Sequence, residues 1–301
     1  MTHKKDITLL LSSAFIWGTS FPIIEWNIKF LGVNFYFFLL FRFFLAFLVS
    51  IFLILIFKRG LHFISSLKQF KIILLAILNV FAFIFQFYGQ NFTTAGKSSL
   101  LINLNIIFVP LLTITIFKEK LNKFKLISII SGIFGVYFLT VGFRINELFL
   151  GNIIGDLFCL FAGIIWSVYI ILSKKVLTEK KSELYSYLDI TNSINFYTFI
   201  FLLTPLFLFY LNYPNMFSIS YPLYILISEL HLGINCTFLA LLMFNKGLKN
   251  KSPTIVSITL LLEIIVANLL GAIFLPSKSY FSIDFLIGAL LIIFALIIGN
   301  I

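Results

Sequence analysis

The chain has 301 residues, 61% of them apolar and only 11% charged, with a net charge of +11 and a mean hydropathy of +1.10. Soluble domains carry about 25% charged residues, so this composition excludes an ordinary soluble globular protein. Apolar runs of about 20 residues recur along the whole length, each enough to cross the hydrocarbon core as a helix. Barrel strands are shorter and alternate apolar with polar residues, whereas Phe37 to Leu48 and Leu286 to Ile298 are apolar on every side.

Taken in chain order, ten spans are predicted at 7–26, 35–57, 71–90, 97–117, 126–143, 151–173, 187–210, 222–244, 253–275 and 283–300. One set of connecting loops holds 17 Lys and Arg residues and the other only four, with Arg42 inside span two. That bias places both termini in the cytoplasm. Met1 to Asp6 is a short basic start with no cleavage site after the first apolar run, which predicts that the run is retained. The positive charge is read as a topology signal with an attraction to anionic lipid, and not as a nucleic-acid footprint.

One pattern occurs twice. Ile16-Trp17-Gly18-Thr19-Ser20 opens the first five spans and Ile165-Trp166-Ser167-Val168-Tyr169 opens the last five. Five is odd, so the second copy must run opposite to the first. The expected fold is therefore an all-α integral membrane protein of ten transmembrane helices. These form two inverted-topology five-helix repeats, residues 1–145 and 146–301. Such repeats point to a secondary transporter with its site near the midplane.

Depth and chemistry select the candidates. Trp17 and Glu263 each lie about ten residues into a span, roughly 15 Å deep. A carboxylate there costs at least ~2.5–3.5 kcal/mol, so Glu263 must face the interior, pair or be protonated. Trp17, Gln86, Asn105, Trp166, Tyr169 and Glu263 are expected to bind substrate, with Asn79, Asn103, Asn192, Asn195 and Asn235 also inward. Arg42, roughly 10 Å deep, is expected to pair with Glu25 as a structural lock, with an outer gate or an anchor for a substrate carboxylate as the alternatives. Gly18, Pro22 and Pro110 are candidate hinges, and Lys97 is expected to snorkel to the interface. Glu229 and His231 are two apart and so on different helix faces, which argues against a joint metal or proton site. Cys159 and Cys236 are expected as buried free thiols. No Walker-type loop, nucleophile elbow or metalloprotease motif is present, which disfavours an enzyme or an ATP-driven pump and implies no metal and no cofactor.

Further parallels connect the halves. Thr94-Ala95-Gly96-Lys97-Ser98-Ser99-Leu100 leads into a span with Pro110 and ends at Glu119, while Lys251-Ser252-Pro253-Thr254 leads into Leu260-Leu261-Leu262-Glu263. Together with Trp17-Gly18, Arg42, Ala46 and Trp166, these residues resemble the drug/metabolite transporter superfamily, EamA type, over nearly the whole chain. Two positions depart from that pattern: Ile264 where Pro often follows the Glu, and Leu275-Pro276-Ser277 where a Gly-Glu pair often ends the span. The resemblance implies alternating access and a small amphipathic or zwitterionic cargo, such as an amino acid, moved outward across the cell membrane. A coupling proton is a candidate partner, beside membrane lipid, and a monomer or weak dimer is expected. The alternatives are a sugar-phosphate or nucleotide-sugar exchanger and a non-transporting receptor or scaffold. The exchanger needs more cavity cations than Arg42 and Lys97 supply.

Overall fold

The computed structural model describes residues 2–143, 152–179, 186–212, 223–275 and 283–299. Arg144, Lys180, Lys181, Lys278, the boundary at 145/146 and the Pro276-Ser277 pair lie outside the described residues.

Among the described residues the chain is helical and has no strand. The helices are α1 (Thr2–Glu25), running into a π-helical turn at Trp26–Phe30; α2 (Phe35–Ile56); the short α3 (Gly60–Leu67); α4 (Phe70–Gln90); α5 (Ala95–Asn103) and α6 (Asn105–Phe117); α7 (Lys123–Thr140); α8 (Ile153–Thr178); α9 (Tyr187–Asn212); α10 (Leu223–Leu230), a π-helix at His231–Leu239 and α11 (Ala240–Asn250); α12 (Pro253–Leu260) and α13 (Leu262–Phe274); and α14 (Ile283–Gly299). Among the described residues, seven helical stretches are long and apolar enough to cross a membrane: 4–30, 35–56, 70–90, 95–117, 153–178, 223–250 and 253–274. Ile283–Gly299 is a shorter apolar helix. The outer surface shows large apolar side chains such as Phe52, Leu55 and Phe274, the exterior a lipid-embedded bundle needs. The protein is a multi-pass membrane protein.

Local chemistry sets the helix starts. Asn34 accepts from the Tyr36 and Phe37 N–H groups (3.0 and 3.2 Å), Thr94 from Lys97, Asn122 from Lys125, and Ser252 from Ile255. A side-chain acceptor at this position satisfies N–H groups that the helix itself cannot. Pro253 follows its cap at the first helical position, where its missing N–H has no consequence.

Two long helical stretches are broken, and in corresponding places. The α5–α6 stretch breaks at Leu104 and the α12–α13 stretch at Leu261. Each break leaves a short first half and a 13-residue second half. Pro22 and Pro110 both lie inside continuous helix, so the discontinuity falls six residues before Pro110, at Leu104.

α1 packs on α11 and α13, α2 on α9, and α4 on α8 and α9, while α7 and α14 form a pair at the periphery. Bare glycine surfaces allow this last approach. A Cβ on Gly288 would come within 2.5 Å of the Leu139 backbone nitrogen and 2.7 Å of the Gly135 carbonyl oxygen. Without a hydrophobic driving force between helices, such close backbone contact is what holds them.

Ion pairs gather at the helix ends. Arg59 binds Asp189 through two hydrogen bonds of 2.8 and 2.6 Å, and Asp189 raises the guanidinium above its ordinary pKa, chiefly through those bonds. Lys71 pairs with Glu179. Lys125 pairs with Glu119 at 2.5 Å, and Glu119 accepts from Thr254 at 3.0 Å. Lys97 pairs with Asp156 at 2.6 Å. Cys159 and Cys236 are free and buried.

Candidate functional site

A cavity of about 450 Å³, mouth included, opens among α1, α2, α4, α5, α6, α8, α11, α12 and α13. Trp17, Gln86, Asn105, Trp166 and Glu263 all line it, as does Arg42. The two repeated tryptophans meet there, with ring centroids 5.9 Å apart. Phe244 stands 5.3 Å from Trp17 and Phe83 stands 5.5 Å from Trp166, completing an aromatic wall.

The lining is paired by position. Gln86 stands eight residues before the cap Thr94, and Phe244 eight before the cap Ser252. Ile102 and Leu260 each follow those caps by eight residues, and Asn105 and Glu263 each follow by eleven. With Trp17 and Trp166, these make four counterpart pairs on one cavity wall. Such pairing is what a cavity at the interface of two inverted repeats produces.

The charges are held by backbone that the helix breaks and the π-helix set free. Glu263 sits in the first turn of α13, where the N-terminal end of the helix dipole favours an anion. The Asn103 side chain, at the end of α5, reaches its carboxyl. On the other side, the π-helix His231–Leu239 leaves the Cys236 carbonyl open to side chains. It accepts from the Trp17 indole Nε1 at 2.7 Å and from Arg42 Nη2 at 3.4 Å. π-Bulges inside α-helices are common at functional sites for this reason. Arg42 Nε donates to Thr237 Oγ1 at 2.5 Å. The guanidinium lies 4.6 Å from the Phe83 ring centroid and 5.7 Å from that of Phe87, a cation–π position. Nη1 has no hydrogen-bond partner among the described residues.

Several expectations change. The Glu25–Arg42 pair is not formed. Glu25 instead pairs with Lys29 at 3.3 Å and accepts from the Ala95 N–H at 2.5 Å, capping α5. Arg42 is held by the π-helix, a feature with no sequence signature. Tyr169 does not line the cavity; it packs behind Trp166 with ring centroids 4.9 Å apart. Gly18, a candidate hinge, is a point of close helix contact: a Cβ there would lie 2.6 Å from Val266 Cβ and 2.8 Å from the Glu263 carbonyl oxygen. His231 bonds to Thr19 (2.8 Å) and Asn235 (3.1 Å), not to Glu229. Groups of three or more His, Cys, Asp or Glu that could hold a metal are absent among the described residues. Ser20 of the doubled motif lines the cavity, as do Phe83, Ile102, Ile170 and Phe244, which the sequence did not single out. The spacing from the caps would have found Phe244, as the counterpart of Gln86.

The sequence matches the model of the EamA-like transporter family twice, over residues 4–141 and 153–301. An uncharacterized transporter of Archaeoglobus fulgidus is 30% identical over 185 residues, which cover 60% of this chain and 61% of that protein. The uncharacterized transporter YoaV of Bacillus subtilis is 30% identical over 87 residues, 29% of this chain and 30% of YoaV. The matches thus span less than two thirds of the length of these curated relatives. One protein of known crystal structure superposes with a TM-score of 0.69 at 16% identity, covering 96% of this chain and 97% of that one. That likeness concerns the fold alone.

Proposed function

The chain belongs to the EamA-like transporter family, and we propose that it is a secondary transporter of a small amphipathic zwitterion, such as an amino acid, working by alternating access. The observation that carries this reading is the cavity's composition. One guanidinium, Arg42, and one carboxyl, Glu263, stand among tryptophan and phenylalanine rings. A zwitterion with an apolar side chain is the complement of such a site: its carboxylate suits Arg42, its ammonium suits Glu263, and its side chain suits the rings. A sugar phosphate would bring two negative charges to a cavity whose lining holds one cation and one acid. The geometry does not favour that reading.

In this reading the repeats 1–145 and 146–301 are the bodies that rock against each other. Ten spans with cytoplasmic termini are the topology that the loop-charge bias supports, and residence in the cell membrane is what the family resemblance implies. Outward movement of the cargo is the direction the family resemblance implies. A proton at Glu263 is the candidate coupling ion. The test is counterflow in liposomes with labelled amino acids, sugars and sugar phosphates, on wild type and Glu263→Gln. Amino-acid counterflow is expected, with a pH dependence that Glu263→Gln flattens. Exchange of sugar phosphate alone would overturn the cargo assignment. An unchanged pH profile would remove Glu263 from coupling.

A further inference from the structure

A second polar region lies one helical turn beyond the cavity. Asn79 on α4 stands four residues before the lining residue Phe83; Ser173 on α8 stands three after Ile170; Asn245 on α11 adjoins Phe244. Asn192 and Asn195 of α9 complete the group, with Tyr169 beside Ser173. All six are buried to within 1% of full burial. Two hydrogen bonds tie the region together: Asn79 Nδ2 to Thr198 Oγ1 at 3.1 Å and Asn245 Nδ2 to Thr191 Oγ1 at 2.9 Å.

The polar groups far exceed these bonds. Both amide atoms of Asn192 and both of Asn195 lack any hydrogen-bond partner among the described residues. So do the Oδ1 atoms of Asn79 and Asn245. Each buried orphan carries an uncompensated desolvation cost, which apolar side chains of similar shape would avoid. Amides that only joined helices would be bonded across them, yet Asn192 and Asn195 join nothing. Groups of this kind inside a membrane protein belong in a water-lined path. The packing agrees: α8 and α9 both lie against α4 and α11, which flank the seam between them. The seam leads toward the helix ends that carry Lys71, Lys174 and Lys249, the cytoplasmic side by the loop-charge rule. Those helix ends carry the Arg59–Asp189 and Lys71–Glu179 pairs and the Lys174 bonds to the Leu248 and Lys249 carbonyls.

We propose that this seam is the cytoplasmic access route of the cavity, with Asn192 and Asn195 hydrating the polar end of a zwitterionic cargo as it passes. The inference rests on the transporter reading. When the end pairs release, α8 and α9 part along the seam, and its amides exchange water for cargo at little cost.

The experiment introduces Asn192→Cys and Asn195→Cys separately into the full-length protein in inside-out and right-side-out vesicles. A membrane-impermeant cationic thiol reagent is applied, with wild type as baseline for the two native thiols. Ser50→Cys is the control, since Ser50 is fully buried on α2 and bonded to the Ala46 carbonyl. Thiol reactivity follows exposure, so both seam cysteines are expected to react about tenfold or more faster than Ser50→Cys from the cytoplasmic face. A second variant, Asn192→Leu/Asn195→Leu, is expected to slow labelled phenylalanine counterflow about tenfold while holding or raising Tm, because it removes orphaned amides. Seam cysteines as inert as Ser50→Cys, or wild-type counterflow in the double leucine variant, would overturn the route. Absent phenylalanine counterflow in wild type with the seam cysteines still reactive upholds the route and sinks the cargo assignment instead.

Discussion

Asn105 and Glu263 occupy one position in two copies. Each stands eleven residues after the capping residue of its broken stretch, Thr94 and Ser252, and each lines the cavity from the first turn of a second half-helix. The fold supplies the same helix-terminal field to both, and only the carboxyl of Glu263 adds a charge. The cavity is thus symmetric in backbone and unequal in charge, which gives a cargo one electrostatic orientation.

Glu263→Asn makes the two positions alike. Phenylalanine KM is expected to rise about 10–100-fold, the loss of a charged hydrogen bond of about 1.5–3 kcal/mol. N-Acetylphenylalanine, which has no ammonium, is expected to show no such change. Parallel counterflow of the two compounds checks this, and an equal loss for both would mean that Glu263 shapes the cavity and does not bind the amine.

A second repeat relationship concerns closure. Lys174 follows Trp166 by eight residues, as Glu25 follows Trp17. Glu25 accepts from the Ala95 N–H at the start of α5, and Lys174 donates to the Leu248 and Lys249 carbonyls at the end of α11 (3.0 and 2.8 Å). An anion sits at a helix N-terminus and a cation at a helix C-terminus, each the favourable sign. Glu25→Gln and Lys174→Met each remove about 1–2 kcal/mol of this kind, a shift of about 5–30-fold in a two-state ratio. Glu25→Gln is expected to speed labelling of Ser20→Cys from the outer face. Lys174→Met is expected to speed labelling of Asn195→Cys from the inner face. A single face responding to both substitutions would show that these contacts do not act as opposed latches.

Much of this was legible in residue spacing. The doubled Trp motif and Gln86, Asn105 and the mid-depth Glu263 are readable in the sequence and line the cavity, whereas the pairing of Gln86 with Phe244 and of Asn105 with Glu263 emerges only from the caps Thr94 and Ser252. The partner of Arg42 was not legible. Pairing by depth alone suggests Glu25, but depth says nothing of which way a side chain turns around its helix. The π-helix that presents Thr237 and the Cys236 carbonyl leaves no composition signature. Pro110 is a hinge candidate in the sequence because proline marks its own position. The break at Leu104 depends on how two half-helices pack and has no residue that marks it.

Arg42 makes three kinds of contact at once: a hydroxyl, a carbonyl and two ring faces. Lysine keeps the charge but has no planar fork to span them. Arg42→Lys is expected to raise phenylalanine KM about tenfold or more with a smaller change in maximal rate, because the lost contact is a binding one. Phenethylamine, which lacks the carboxylate, is expected to be insensitive. If the substitution lowers maximal rate at constant KM, Arg42 belongs to the moving parts and not to cargo binding.

The α7–α14 pair lies outside the cavity wall, so damage there separates stability from transport. A valine at Gly288 would drive its Cβ against the Leu139 nitrogen and the Gly135 carbonyl, backbone atoms that cannot turn aside. Overpacking of this kind costs about 1–3 kcal/mol. For a chain of this size that is a fall in Tm of about 2–10 °C. Gly271 provides the matched control, since a Cβ there meets only Leu275 Cδ1 at an ordinary 3.7 Å. Gly288→Val is therefore expected to melt earlier than wild type at unchanged phenylalanine KM, and Gly271→Ala to match wild type in both. A raised KM in Gly288→Val would show instead that the peripheral pair is coupled to the cavity, as it would be if α7 and α14 moved with the half-helices α6 and α12 against which α7 packs.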